Sequence, residues 1–245
     1  WESRVAIVED DRLVEVFWAD QDESVGNIYK GKVKDILPGL SCAFIDIGLS
    51  KNAFLYVGDV LAPGNRKSKH IEQLLKSGQE IMVQVKKEAF SEKGARVTCD
   101  ITIPGHLLVL LPFQHDVSIS RKIIGNQKRN QLRSLIEDNK PDDIGVILRT
   151  ACMEARENEI LAELNHLLGI WQDIQKRFAQ QSSPSLIYED IDVIERALRD
   201  YLDVDIRRVI TNNLKIKEKI DFIALHKNTS FLPSVHFEEG DLFEK

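Results

Sequence analysis

The stretches Asn27-Ile28-Tyr29-Lys30-Gly31-Lys32-Val33-Lys34, Ala43-Phe44-Ile45-Asp46-Ile47-Gly48 and Lys51-Asn52-Ala53-Phe54-Leu55-Tyr56-Val57 decide the fold of this chain. Each alternates apolar and polar residues and is bounded by turn residues such as Pro38-Gly39, so the three read as successive strands. Ile81–Lys87 and Ala95–Thr102 alternate in the same way, after a loop over Leu61–His70 that combines Pro, Gly and basic residues. Five strands with one longer loop before the fourth form the pattern of an oligonucleotide-binding barrel.

These strands carry Phe44 and Phe54 into a neighbourhood of Lys30, Lys32, Lys34, Lys51, Lys86, Lys87 and Lys93. A strand-borne aromatic pair beside cations stacks unpaired bases while the cations hold the phosphates between them. The residues alone leave the alternative open, since a strand phenylalanine is more often core. Net charge is −6, which argues against a polyanionic partner until its distribution is considered. Residues 25–135 hold 17 Lys/Arg against 9 Asp/Glu, a net of +8, which leaves −14 for the remainder. Blocks of opposite sign suit a molecule that offers one face to a polyanion, although an uneven solvated surface accounts for the same numbers. The 3 cysteines, Cys42, Cys99 and Cys152, are scattered and form no CxxC, which favours a reducing, cytoplasmic setting. No apolar run approaches the roughly 18–20 residues that span a bilayer. A first residue of Trp1 and an uncapped ending at Asp241–Lys245 point to a fragment at both ends.

Outside the barrel block, Arg4–Val8 and Leu13–Trp18 flank Glu9-Asp10-Asp11-Arg12 as a hairpin. After Pro104-Gly105 the pattern predicts strands at Leu107–Leu111, Val117–Arg121 and Ile144–Thr150, with a helix at Gln127–Glu137. Ile160, Leu164, Leu167, Trp171, Ile174 and Phe178 recur at helical spacing, so Glu157–Gln180 reads as a long amphipathic helix ended by Ser182-Ser183-Pro184. This region reads as a second, mixed α/β module. The tail offers a helix at Val193–Asp203, a strand at Arg208–Ile210 and a Lys-rich helix at Leu214–Leu225. Where a strand ends at Arg149-Thr150, a planar guanidinium and a hydroxyl converge on one anion, with Arg121 as a second cation. A surface ion pair is the plainer alternative for such an arginine. Asp200, Asp203 and Asp205 form the best metal-like cluster, but Arg196, Arg199, Arg207 and Arg208 neutralise it. Histidines at zinc-ligand spacing and a GxSxG, Walker or GxGxxG element are all missing, so no catalytic centre emerges.

Taken together, Arg4–Val8, Gly26–Val33, Leu37–Gly39, Ala43–Gly48, Lys51–Leu55, Lys93–Thr98, Val117–Arg121 and Arg149–Ala151 resemble the ribonuclease E/G family, closer to its ribonuclease G branch. The resemblance implies a single-strand-specific endoribonuclease of rRNA processing and mRNA decay, and an α+β, multidomain architecture. In it an S1-type OB-fold barrel (residues 23–100) and an α/β 5′-sensor module (101–195) are inserted in a split ribonuclease-H-like domain (1–22 and 196–245), with Glu239–Lys245 as its closing edge. Carried over residue by residue, the RNA-gripping positions are Phe44, Phe54 and Lys93, joined by Lys87 and Lys30 from the charge reading. Gly105 and Val109 match backbone positions near a 5′ monophosphate, and Arg121, Arg149 and Thr150 its side-chain clamp. The resemblance also places two magnesium-binding aspartates, and a cysteine pair that links protomers through zinc, in a nuclease domain beyond this chain. The expectation is therefore a part that binds single-stranded RNA with a 5′ monophosphate but holds no metal and does not cut, from an intact protein that is a homo-oligomer. A stand-alone, non-catalytic RNA-binding or assembly module is the alternative, and a self-contained nuclease built on Asp200–Asp205 the third.

Overall fold

A computed structural model describes residues 3–19, 24–61, 70–89, 93–190, 197, 206–214, 216–218, 220 and 234–243. Its contacts divide the chain into two compact units, Trp1–Asp20 with Asp192–Lys245, and Gln21–Ile191. In the first unit, β1 (Ser3–Glu9) and β2 (Arg12–Ala19) pair antiparallel from Ser3 opposite Ala19 to Glu9 opposite Arg12. The turn residues Asp10 and Asp11 both have positive φ, 48° and 59°, the left-handed geometry that suits a right-twisted two-residue hairpin and that aspartate tolerates.

The second unit opens with the expected barrel. Strands β3 (Ile28–Leu37), β4 (Cys42–Asp46), β5 (Ala53–Tyr56), β6 (Glu80–Lys87) and β7 (Arg96–Thr98) pair in the order β3-β4-β5-β7-β6, and β6 pairs back onto β3. Only the β5–β7 contact is parallel. A closed five-stranded barrel of this connectivity is OB-like. Alternation sends Val33, Ala43, Ile45, Ala53, Leu55, Val83, Val85 and Val97 inward, all of them at most 2% exposed. Side chains between them along each strand face outward, and the candidate interface is built from those.

Beyond the barrel, β8 (Ile103–Pro104), β9 (Leu108–Leu111), β10 (Val117–Ile119) and β11 (Gly145–Leu148) form a sheet ordered β10-β11-β9-β8. Helices α1 (Asn126–Glu137) and α2 (Glu157–Gln180) pack on it, with Ile160, Leu164, Leu167, Trp171 and Ile174 of α2 buried at the spacing the sequence shows. The N-terminus of α2 is closed by Glu159, whose carboxylate accepts the Arg156 N–H at 2.9 Å. A further strand, β12 (Ser185–Tyr188), unforeseen in the sequence, adds to β3 beside the barrel.

This packing overturns one of the expected RNA contacts. Lys30, on β3, is 7% exposed and has all three ammonium protons engaged. They go to the Phe178 carbonyl (3.1 Å), the Gln181 carbonyl (2.9 Å) and Glu80 Oε2 (2.9 Å). The Phe178 ring lies 5.0 Å from the same nitrogen. The carbonyls at a helix C-terminus lack intrahelical partners and carry partial negative charge, so a cation there caps α2. Lys30 is the clasp between barrel and helix, and no proton remains on it for a phosphate.

The first unit is completed by β13 (Arg208–Thr211) and β14 (Ser234–Phe237), which pair in parallel. The described part of Glu239–Lys245 forms a turn, in which Asp241 Oδ1 accepts the Phe243 N–H at 2.9 Å. Within this unit Arg4 joins Asp241 at 3.0 Å and lies 4.8 Å from the Phe243 ring centroid. The expected Val193–Asp203 helix, with Asp200, Asp203 and Asp205, falls outside the described residues apart from Ala197, and the loop at residues 62–69 also falls outside. Among the described residues no helix is long and apolar enough to cross a membrane.

Replacing Lys30 by methionine strands two helix-end carbonyls in a place water reaches poorly. The variant is expected to lose about 1–3 kcal/mol of stability in urea unfolding, while its affinity for single-stranded RNA matches the wild type.

Candidate nucleic-acid interface

The outward side chains of the barrel fall into a row set by strand register. Phe44 on β4 is opposite Phe54 on β5, Phe54 is opposite Arg96 on β7, and Arg96 is opposite Lys87 on β6. The two phenyl rings are 6.2 Å apart at 72°, an edge-to-face pair, and both are half-buried with part of each ring at the surface. Their neighbours Ala43, Ile45, Ala53 and Leu55 fill the core, so the rings stand on the other face. Lys93 is brought to the same end of β5: the Ala95 carbonyl accepts the Phe54 N–H at 2.7 Å, and Gly94 runs against Asn52. Phe44, Phe54, Lys87 and Lys93 are thereby assembled on one side, and Arg96 joins them unforeseen. Its signal was the alternation Arg96-Val97-Thr98, whose apolar member points in and whose arginine points out.

Not every cation here is free for a polyanion. Lys34 pairs with Asp46 at 3.2 Å. Lys86 and Arg96 both reach Asp59 at 2.8 Å. Burial pulls the Asp59 carboxyl upward, but the hydrogen bonds and charges of Lys86 and Arg96 outweigh it and hold the carboxyl below the usual range. Asp46 is also held low, first by the Gly48 N–H and against a smaller effect of burial, with Lys34 and Lys32 assisting. Lys87 and Lys93 are exposed and form no ion pair with a described carboxylate, while Lys32 is exposed but acts on Asp46.

A second cluster lies where the parallel strands β10 and β11 end together. Ser118 pairs with Ile147 and Ile119 with Leu148, so the chain leaves both strands side by side at Ser120-Arg121 and Arg149-Thr150. The Ser120 and Thr150 hydroxyls are hydrogen-bonded at 3.0 Å, and the Ser120 N–H donates to the Leu148 carbonyl. Arg149 is half-buried and donates from Nη1 to the Gly105 carbonyl at 2.7 Å. That contact brings the β8–β9 turn to the cluster, and Glu163 of α2 fixes the turn by accepting the Leu107 and Leu108 N–H groups at 2.7 and 2.8 Å. Gly105 lies so close to Glu163 that no Cβ fits between them. Arg121 is exposed, and Arg129 braces its loop by donating to the Ser120 and Ile123 carbonyls at 2.9 and 3.0 Å. Val109, opposite Ile147, is half-buried on β9 in the middle of the sheet.

Behind this cluster the Cys152 thiol donates to the Leu107 carbonyl at 3.1 Å. Burial pushes that thiol up to about 12 and Glu163 adds to the push, while the backbone of Arg149 and the charges of Lys128 and Arg149 pull the other way. Lys128, in the first turn of α1, is thus another cation of the neighbourhood that the sequence did not single out. Among the described residues no group of three or more His, Cys, Asp or Glu could hold a metal ion.

Comparison with known proteins bears on both clusters. The Ribonuclease E/G family pattern matches residues 102–245, more than half of the chain. Ribonuclease G of Haemophilus influenzae is 35% identical across 96% of this chain, which spans 49% of that relative. Ribonuclease G of Escherichia coli K12 is 32% identical with the same coverage. Ribonuclease E of Synechocystis is 35% identical across 85% of the chain and 33% of its own length. The chain therefore spans half or less of the curated relatives it matches. A solved archaeal complex, a/eIF2alpha-aDim2p-rRNA from Pyrococcus horikoshii, overlaps 45% of this chain and 51% of its own at 18% identity and a TM-score of 0.26, too loosely to bear on the fold.

The two-cation lock on Asp59 fixes an acid response. A depressed carboxyl stabilises the fold above its unfolded pKa, and that stabilisation is lost as pH falls through the lower folded value. Thermal unfolding followed below about pH 4 is expected to show a steep loss in the wild type. Asp59→Asn, which has no such carboxylate to protonate, starts less stable at neutral pH and has a flatter acid limb.

Proposed function

This chain belongs to the ribonuclease E/G family, and on that footing we propose that it is the RNA-holding and 5′-end-sensing part of a single-strand-specific endoribonuclease. The observation that carries the reading is the cross-strand row of Phe44, Phe54, Arg96 and Lys87 on the outer face of a closed OB-like barrel. An unpaired strand lays a base on the aromatic pair, whose π-faces accept any base, and its phosphates meet Lys87 and Lys93. In this reading the barrel is S1-type, and the segments 1–22 and 196–245 are the two parts of a ribonuclease-H-like domain.

The second cluster serves the leading end of the strand. Arg149 and Thr150 offer a planar fork and a hydroxyl, Arg121 a second charge, and Gly105 and Val109 the backbone around them. In this reading the cluster takes a terminal monophosphate in preference to a bulkier triphosphate on steric grounds, while charge supplies the affinity. Magnesium chemistry belongs, in this reading, to aspartates of a nuclease domain outside these residues, and rRNA precursors and mRNA are the substrates. The intact protein works as a homo-oligomer.

Two titrations with fluorescently labelled, unstructured oligoribonucleotides test the two halves separately. Phe44→Ala is expected to weaken binding by about 1–3 kcal/mol whatever the 5′ group. Arg149→Ala is expected to abolish the preference for a 5′-monophosphate over a 5′-hydroxyl oligomer, leaving affinity for the latter unchanged. Equal wild-type affinity for the two oligomers removes the sensor reading, and an unaffected Phe44→Ala removes the barrel reading.

A further inference from the structure

The outer face of the barrel continues past the phenylalanine pair. On β5 the alternation that turns Phe54 outward also turns out Tyr56, which is 43% exposed. Its register partner on β4 is Cys42, two residues before Phe44 and wholly screened from solvent. The tyrosine ring is also braced from beneath. A Cβ added to Gly58 would sit 3.2 and 3.3 Å from its Cε1 and Cδ1 atoms, so the ring lies along bare glycine backbone.

Three residues after Tyr56 comes Asp59, which holds Lys86 and Arg96 at 2.8 Å each. Arg96 is at the same time the register partner of Phe54. A strand residue and its next-but-one neighbour are about 6.6 Å apart, roughly twice the 3.4 Å rise of stacked bases. The two platforms therefore suit successive bases of an extended, unstacked strand.

We infer that Tyr56 is a third stacking platform, which receives the nucleotide adjoining the one held by Phe44 and Phe54 on single-stranded RNA. The inference rests on the barrel's RNA-binding role. It assigns the site to a base of any identity, because ring stacking is sequence-tolerant, and it gives the bound strand a direction along β5.

Competition binding with the full chain, using uridine 5′-monophosphate and an oligouridylate of about ten nucleotides, tests it. Tyr56→Ala and Tyr56→Leu are expected to weaken the longer oligomer roughly five- to a hundred-fold and leave the mononucleotide unchanged. Tyr56→Phe keeps wild-type binding, and Tyr56→Leu keeps the wild-type unfolding midpoint. If both Tyr56→Ala and Tyr56→Leu bind the longer oligomer as the wild type does while Phe44→Ala is impaired, the third platform is refuted and the barrel role stands. If Phe44→Ala is unimpaired too, the barrel role itself has failed. Equal losses on both lengths also overturn the inference, since Tyr56 would then be serving the first base or the fold.

Discussion

Strand β3 is the member on which the second unit depends. Its first half, from Ile28 to Lys30, is hydrogen-bonded to β6 on one edge and β12 on the other, and its second half pairs with β4. Closing the barrel through this strand leaves no unpaired edge there for another chain to extend. It also fixes which residues of β4 and β5 face out, because a slip of one residue would exchange every inward side chain for an outward one. Lys30 adds the link to α2, and α2 in turn carries the glutamate that holds the β8–β9 turn. The position of the Gly105 carbonyl next to Arg149 thus traces back, contact by contact, to a lysine on the barrel.

That chain of contacts explains why the two candidate sites belong to one compact unit although they use unlike chemistry. The barrel row presents half-buried rings with cations at one side. The β10–β11 end presents a guanidinium oriented by a carbonyl and a hydroxyl pair already hydrogen-bonded to each other. A guanidinium already held against a carbonyl is ordered in advance, so it loses little freedom on meeting an anion. The rings likewise stand edge to face before any base arrives. Both arrangements are set by the fold in advance, which limits the ordering that binding would demand.

Much of this was legible in the chain of letters, and the exceptions have physical reasons. The five barrel strands and α2 carry strong periodicity, so their positions follow from pattern alone. β12 was missed because Ser185–Tyr188 is too short to show a period and exists only as an addition to an edge of β3. β14 was missed for a like reason, since Ser234–Phe237 is recognisable as a strand only beside β13. Lys30 misled because charge marks a residue as a surface group, whereas burial depends on what lies across from it. A helix end some 150 positions later in the chain supplies that answer, as the Gln181 contact shows. Arg96 and Tyr56 went unnoticed because their value lies in register with Phe54 and Phe44, and register is a property of paired strands.

Charge makes the same point about available against nominal cations. A net of +8 over residues 25–135 suggests a broad basic face. In the folded chain, however, Lys30 and Lys34 are joined to carboxylates, and Lys86 and Arg96 share one. Those pairs position the surface more than they charge it: a cation already beside a carboxylate releases fewer counterions when a phosphate arrives. Beside the rings, Lys87 and Lys93 are cations with no carboxylate partner among the described residues, a few charges and not a uniform field. On the proposed function, a few free cations beside a ring pair favour a strand that also offers unpaired bases to stack, since phosphates alone find few contacts.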